Sequence, residues 1–182
     1  MSIRDTATAY GKVSRLNHWI GALFVLLLLG IGLYFGDMPR GDEKRFWRTL
    51  HIAIGTIAIP LLLFRVVWRV ASTSPRPHPQ KPVLQLLARL VHALLLTGVA
   101  LMIVSGPLIQ WSAGRSFGVF DLLQIPSPFP RFDSWKDPLE QIHGFTADAL
   151  MYLIGLHVLA AIKHQFFDRD NLLARMTGRG RR

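Results

Sequence analysis

QIHGFTADALMYLIGLHVLAAIKH, residues 141–164, is the stretch that decides the fold. Between Ile142 and Ile162 its one charged residue is Asp148, and about 20 mostly apolar residues suffice to cross a bilayer as a helix. A soluble amphipathic helix would confine its apolar side chains to one stripe, whereas here they occupy nearly every face. The same stretch carries His143 and His157, fourteen positions apart. In a helix that spacing amounts to roughly 21 Å along the axis but only about 40° in azimuth. One face of one spanning helix therefore presents imidazoles at two depths.

Three further runs have the same character. The first, residues 16–36, holds no acid, Lys or Arg. It is longer than the apolar part of a secretion signal and Gly32 to Asp37 offers no small-residue cleavage site, so it reads as a retained span. The second, 50–70, contains Pro60 and meets Arg65 and Arg69 only in its last turns, where long cationic side chains can reach the interface. The third covers 90–111 and the fourth 142–166, followed by a basic tail, 167–182. The expected architecture is one all-α membrane domain, residues 1–182, built as a four-transmembrane-helix bundle.

Composition agrees. Of the 182 residues 51% are hydrophobic and 18% charged, which excludes a disordered chain and a simple basic nucleic-acid-binding domain. The absence of cysteine excludes a disulfide scaffold, thiolate-held metal clusters and covalent haem attachment. A redox metal would need histidine, methionine or carboxylate ligands.

The net charge of +10 is read as topology. Of 21 Lys and Arg residues, Arg40, Lys44, Arg45, Arg48, Arg115, Arg131 and Lys136 fall on one side of the spans, and the other 14 on the side of both termini and the loop between spans two and three. The positive-inside bias places both termini on the cytoplasmic side of the membrane. The tail Arg175 to Arg182 reads as a solvated end, with anionic lipid as the competing contact and no nucleic-acid partner expected. Ser72 to Pro82 is a stiff Pro-rich linker in which His78 is solvated. The loop 112–141 is long enough to fold back over the outer face.

Ionisable groups inside a span are costly and usually functional. His18 lies near the inner start of span one, at the depth of His157, and His51 at the outer start of span two, at the depth of His143. Two imidazole pairs stacked vertically across a bundle are what two bis-histidine b-type haems need. A single zinc site would require convergence that the 21 Å between His143 and His157, an estimate from helical rise, forbids. Gly21, Gly30, Gly32, Gly55, Gly144 and Gly155 would give a flat macrocycle room, or serve ordinary small-residue helix packing. His92 has the right depth to compete with His18 as a ligand. Met38, Met102, Met151 and Met176 form no matched pairs and read as filler. Asp148 is turned about 140° from His143, so a packing hydrogen bond is favoured over a proton path.

Several segments together resemble the bacterial cytochrome b561 family across essentially the whole chain: Ser14 to Trp19, Leu50-His51 with Gly55, Arg65 to Arg69, Gly155-Leu156-His157, Lys163-His164 and Asp170 to Met176. The resemblance implies two haem b groups, the inner held by His18 and His157 and the outer by His51 and His143. Solitary members of the family are implied to be superoxide oxidases, moving electrons from periplasmic superoxide to ubiquinone. On that reading Arg40, Lys44, Arg45 and Arg48 would steer the anion, although Asp37, Asp42 and Glu43 make a mixed-charge loop the competing reading. His164, roughly 10 Å beyond His157 on the same face, is a quinone ligand or proton relay, or else an interfacial histidine. Lys163 is a weaker neighbour. Arg15, Arg65 and Arg69, with Trp19 and Trp68, lie at the level of the inner haem propionates. The alternative is a cytochrome b subunit that anchors a dehydrogenase or hydrogenase and relays its electrons.

Because the chain lacks cysteine, its orientation is directly testable. A cysteine placed at Ser127 is expected to react with a membrane-impermeant maleimide in spheroplasts, and one at Ser74 only after lysis; the reverse pattern would invert the topology.

Overall fold

The computed structural model describes residues 2–7, 9–73, 75, 76, 80–170 and 172–178, so His78 and Arg179 to Arg182 of the tail lie outside the described residues. Four helices are long and apolar enough to cross a membrane: α1 (Lys12–Gly36), α2 (Asp42–Ala71), α3 (Pro82–Ser112) and α4 (Lys136–Lys163). A two-stranded antiparallel hairpin, β1 (Phe117–Val119) and β2 (Leu123–Ile125), follows α3, and a short α5 (Leu172–Thr177) ends the described chain.

The helices overrun the apolar runs that announce them. Backbone hydrogen bonding continues after hydrophobicity stops, and local chemistry supports each extension. Asp42 and Glu43 open α2, where negative charge favours the positive end of the helix dipole. Pro82 opens α3 at a position whose N–H has no intrahelical partner. Asp5 reaches the start of α1, accepting the Gly11 N–H at 2.6 Å and the Ser14 hydroxyl at 2.8 Å. At the other end of α1, Lys44 Nζ donates to the carbonyls of Gly36 and Met38 at 2.9 and 2.8 Å.

Burial is inverted relative to a water-soluble bundle. The inner cluster is small, formed by Ala58, Leu62 and Val99 with Phe24, Val25, Leu28, Val66 and Ile103 against it. Large apolar side chains such as Leu23, Leu63, Phe145 and Leu159 are exposed, the arrangement of helices solvated by lipid. Packing is pairwise in chain order, α1 on α2, α2 on α3 and α3 on α4. The hairpin folds back on α2, where the buried Thr56 hydroxyl lies 3.3 Å from the Gly118 carbonyl.

The α3–α4 contact depends on one missing side chain. A Cβ added at Gly98 would stand 2.7 Å from Leu150 Cδ2 and 3.0 Å from Leu150 Cγ, and Leu150 is buried. Gly98→Val is therefore expected to destabilise the detergent-solubilised protein by about 1–3 kcal/mol, the usual cost of overpacking. Thermal unfolding of Gly98→Val, Leu150→Ala and the double variant checks this. The clash predicts that Leu150→Ala offsets part of the Gly98→Val loss, whereas additive losses would place the fault elsewhere.

Candidate functional site

The close packing of α4 among the spanning helices is with α3, yet its histidines meet α1 and α2. His18 and His157 face each other with ring centres 6.4 Å apart and planes at 65°, and His51 and His143 do so at 6.4 Å and 78°. A metal ion shared by two imidazoles, at about 2.0 Å per bond and with each ring centre about 1.1 Å beyond its nitrogen, would allow ring centres up to about 6.2 Å apart. Both pairs match that separation, and the α4 residues are fourteen positions apart. The imidazole donors of each pair would suit a b-type haem.

His92 stands differently. Its ring centre is 5.3 Å from that of His157 at 72°, closer than the rings of either pair and in an edge contact beside His157.

The surroundings of the pairs differ in kind. At the outer pair His143 Nδ1 lies 2.8 Å from the buried Ser105 hydroxyl, and His51 packs edge-on against Phe35. His51 Nδ1 is buried, and the backbone of Leu28 lies within hydrogen-bonding range of the ring. Gly32 lets the ring approach, since a Cβ there would be 3.4 Å from His51 Cε1. At the inner pair Arg65 Nη2 donates to His18 Nδ1 at 3.1 Å. Arg65 lies across Gly21, where a Cβ would be 2.8 Å from its Cδ. A neutral imidazole that accepts at Nδ1 carries its proton on Nε2, so ligation through Nε2 requires Arg65 to release His18. A guanidinium so released would be free to pair with a carboxylate.

Other residues singled out by the sequence divide into those at the pairs and those engaged elsewhere. Arg69 follows Arg65 by one turn and is exposed. The Arg15 guanidinium lies against Gly178, beneath the C-terminal segment. Trp68 Nε1 donates to Ser14 Oγ at 2.8 Å and Trp19 Nε1 to the Met176 carbonyl at 3.1 Å, so both indoles fasten the inner end together. Asp148 makes no hydrogen bond to a described residue and is exposed, which corrects the packing role expected for it. The face of α4 turned to α3 carries Leu139, Thr146 and Leu150 instead. Gly30, Gly144 and Gly155 have nothing within 4 Å of an added Cβ.

Of the four outer cations, Lys44 is held on the end of α1, and Arg45 is 3.9 Å from Asp42 in an exposed pair of little energetic weight. Arg40 is exposed. Arg48 is half-buried one turn before His51, within electrostatic range of Arg115 and Glu140. Arg115 escaped the sequence reading because only the fold of the outer loop brings it to α2. A recess of about 340 Å³ between that loop and α2, lined by Thr49, Ile52, Ser116, Asp121 and Gln124, adjoins the His51 turn.

Beyond the inner pair, α4 passes into a π-helical turn, His164–Asp168. His164 Nδ1 donates to Asp170 Oδ2 at 2.6 Å and lies 3.2 Å from Asp168 Oδ2, while Lys163 Nζ holds Asp168 at 2.6 Å. Asp170 also accepts the Leu172 N–H at 3.1 Å, tying the histidine to the start of α5. Ligand atoms of His164, Asp168 and Asp170 fall within 4.8 Å of one another; with Lys163 already on Asp168, the group is an ion-pair network.

The profile of the family described as prokaryotic cytochrome b561 matches residues 9–179. The chain is 31% identical over 184 residues to "Cytochrome b561 homolog 2" of Escherichia coli K12, spanning 98% of this chain and 96% of that protein. It is 29% identical over 161 residues to the "Probable superoxide oxidase CybB" of Yersinia pestis, spanning 87% and 90%. With "Cytochrome b561 homolog 1" of Escherichia coli K12 the identity is 28% over 173 residues, spanning 93% and 97%.

Proposed function

Because the chain belongs to the prokaryotic cytochrome b561 family, and so is a bacterial multi-pass membrane protein of electron transfer through b-type haem, we propose that it oxidises superoxide at its outer face and reduces ubiquinone at its inner face. The observation that carries this reading is the repetition, at two depths of α4, of an imidazole pair 6.4 Å across. Haem held by His51 and His143, and by His18 and His157, supplies reversible one-electron transfer across the membrane.

The remaining chemistry belongs to the chain. At the outer face Arg48 and Arg115 converge near His51, and Arg40 and Arg45 add positive potential further out, drawing in a small anion. Lys44 contributes charge while its ammonium caps α1. Two superoxide ions each give up one electron and leave as dioxygen. One ubiquinone takes both electrons and two protons.

At the inner face His164 Nδ1 donates to Asp170, and His164 Nε2 would donate to a quinone carbonyl when it carries a proton. Protonation of that nitrogen from the cytoplasm would make His164 a proton donor to the reduced quinone, with Asp170 stabilising the imidazolium. Arg15, Arg65 and Arg69 are the cations nearest the level where the inner propionates would lie. Orientation with both termini cytoplasmic, from the Lys and Arg distribution, puts the quinone end on the cytoplasmic side. The 29% identity to a probable superoxide oxidase supports the choice of donor.

Purified protein is expected to carry two haem b per chain, His51→Ala and His143→Ala losing one and His18→Ala and His157→Ala the other. Loss of the same haem from both sets, or of neither, overturns the pairing. In stopped-flow absorbance a superoxide pulse is expected to reduce the haem, with superoxide dismutase abolishing the signal and ubiquinone restoring the oxidised spectrum. Haem that stays oxidised despite a normal bis-histidine spectrum would instead make the chain an electron-relay subunit of a larger dehydrogenase or hydrogenase.

A further inference from the structure

Helix α3 supplies neither member of the outer pair, yet it makes the one side-chain hydrogen bond to His143. Ser105 is 3% exposed, and its hydroxyl donates to the Leu101 carbonyl one turn back at 2.7 Å. A serine hydroxyl has one hydrogen. With that hydrogen on Leu101, Oγ can meet His143 Nδ1 at 2.8 Å only as an acceptor. The proton of the neutral imidazole is then on Nδ1 and the lone pair on Nε2. Gly106, next in sequence, leaves the ring edge clear, since a Cβ there would stand 3.8 Å from His143 Cε1.

Resting on the reading of His51 and His143 as outer haem ligands, we propose that Ser105 is a positioning residue that presents His143 Nε2 to the iron and holds the outer haem at a lower potential than the inner. An acceptor at the far nitrogen makes an imidazole a stronger donor, and such outer partners set both ring orientation and ligand basicity. A stronger donor favours the ferric state. The inner pair has a cation for a neighbour, since Arg65, even once it releases His18 Nδ1, stays at that depth of α2. Positive charge near an iron favours the ferrous state. The two environments therefore slope the same way, making the outer site the readier electron donor and the inner site the readier acceptor. That slope runs in the direction the proposed reaction needs, and it is built from a hydroxyl and a guanidinium that bear no ligand themselves.

Spectroelectrochemical titration of purified holoprotein tests this, the outer haem being identified as the one missing from His51→Ala. Ser105→Ala is expected to shift the ferric–ferrous equilibrium of the outer haem toward ferrous by up to about tenfold, about 59 mV upward for a one-electron couple. The inner potential should stay where it is, and Ser105→Thr, which keeps the hydroxyl, should restore the outer one. The low-spin ferric electron paramagnetic resonance signal of the outer haem should move with Ser105→Ala and return with Ser105→Thr. Should Ser105→Ala fail to retain the outer haem, the titration is read on Ser105→Cys, a poorer acceptor of similar size, where a smaller upward shift is expected. Two bound haems with both potentials unchanged in Ser105→Ala, or in Ser105→Cys where that variant is needed, would overturn the proposal. Failure of the underlying ligand reading would show separately, as His143→Ala protein that retains both haems.

Discussion

Everything in this molecule depends on keeping two imidazoles of α4 opposite two imidazoles of other helices without letting the backbones close in. Dispersion and lipid exclusion drive membrane helices together wherever small residues allow it, and α4 is drawn in where Gly98 admits Leu150. That contact is with α3, which also reaches the histidine pairs through Ser105 and His92. On its other side α4 meets α1 and α2 through rings whose centres stay 6.4 Å apart at both depths. A bundle packed equally on all sides would have no such repeated separation. The pairing of helices in chain order and the spacing of the histidines are therefore one design.

The two depths are not equivalent, and at each depth the difference comes from a helix that carries neither histidine of that pair. Outside, a hydroxyl of α3 accepts from His143; inside, a guanidinium of α2 donates to His18. The polarity of a hydrogen bond at one nitrogen decides which nitrogen keeps a lone pair, so a side chain a few ångströms away determines how each ring can bind a metal. The same logic recurs at the cytoplasmic end, where Asp170 orders His164. Three histidines at three depths thus have three different partners, an acceptor hydroxyl, a donor guanidinium and a carboxylate, and each partner suits a different task.

Much of this was legible in the sequence because lipid imposes simple rules. Four apolar runs give four helices, and helical periodicity alone puts His143 and His157 on one face at two depths. What escaped was set by contacts between distant segments. Ser105 looks like any small polar residue of a span until α4 brings His143 to it. Arg115 has no reason to be noticed until the hairpin folds against α2. Lys44 belongs by sequence to a basic cluster, yet its ammonium is committed to the open carbonyls that end α1. Asp148 is an acid in a span, and the rule that such acids find protein partners failed because its azimuth leads away from α3. Periodicity fixes where a side chain points, but not what a neighbouring helix places in its way.

Those contacts also explain why the ends of the bundle are elaborated while its middle is plain. Helix termini expose four N–H or C=O groups each, and near a membrane interface these must be met by side chains or by water. Here Asp5 and Lys44 serve α1, and the indoles of Trp19 and Trp68 tie the C-terminal segment and the start of α1 to the inner rim. Fixing the rim fixes the inner ends of α1 and α2, which carry His18 and Arg65. The polar ties at the surface therefore hold His18 and Arg65 at one depth, where the guanidinium can meet the imidazole or, once released, a carboxylate.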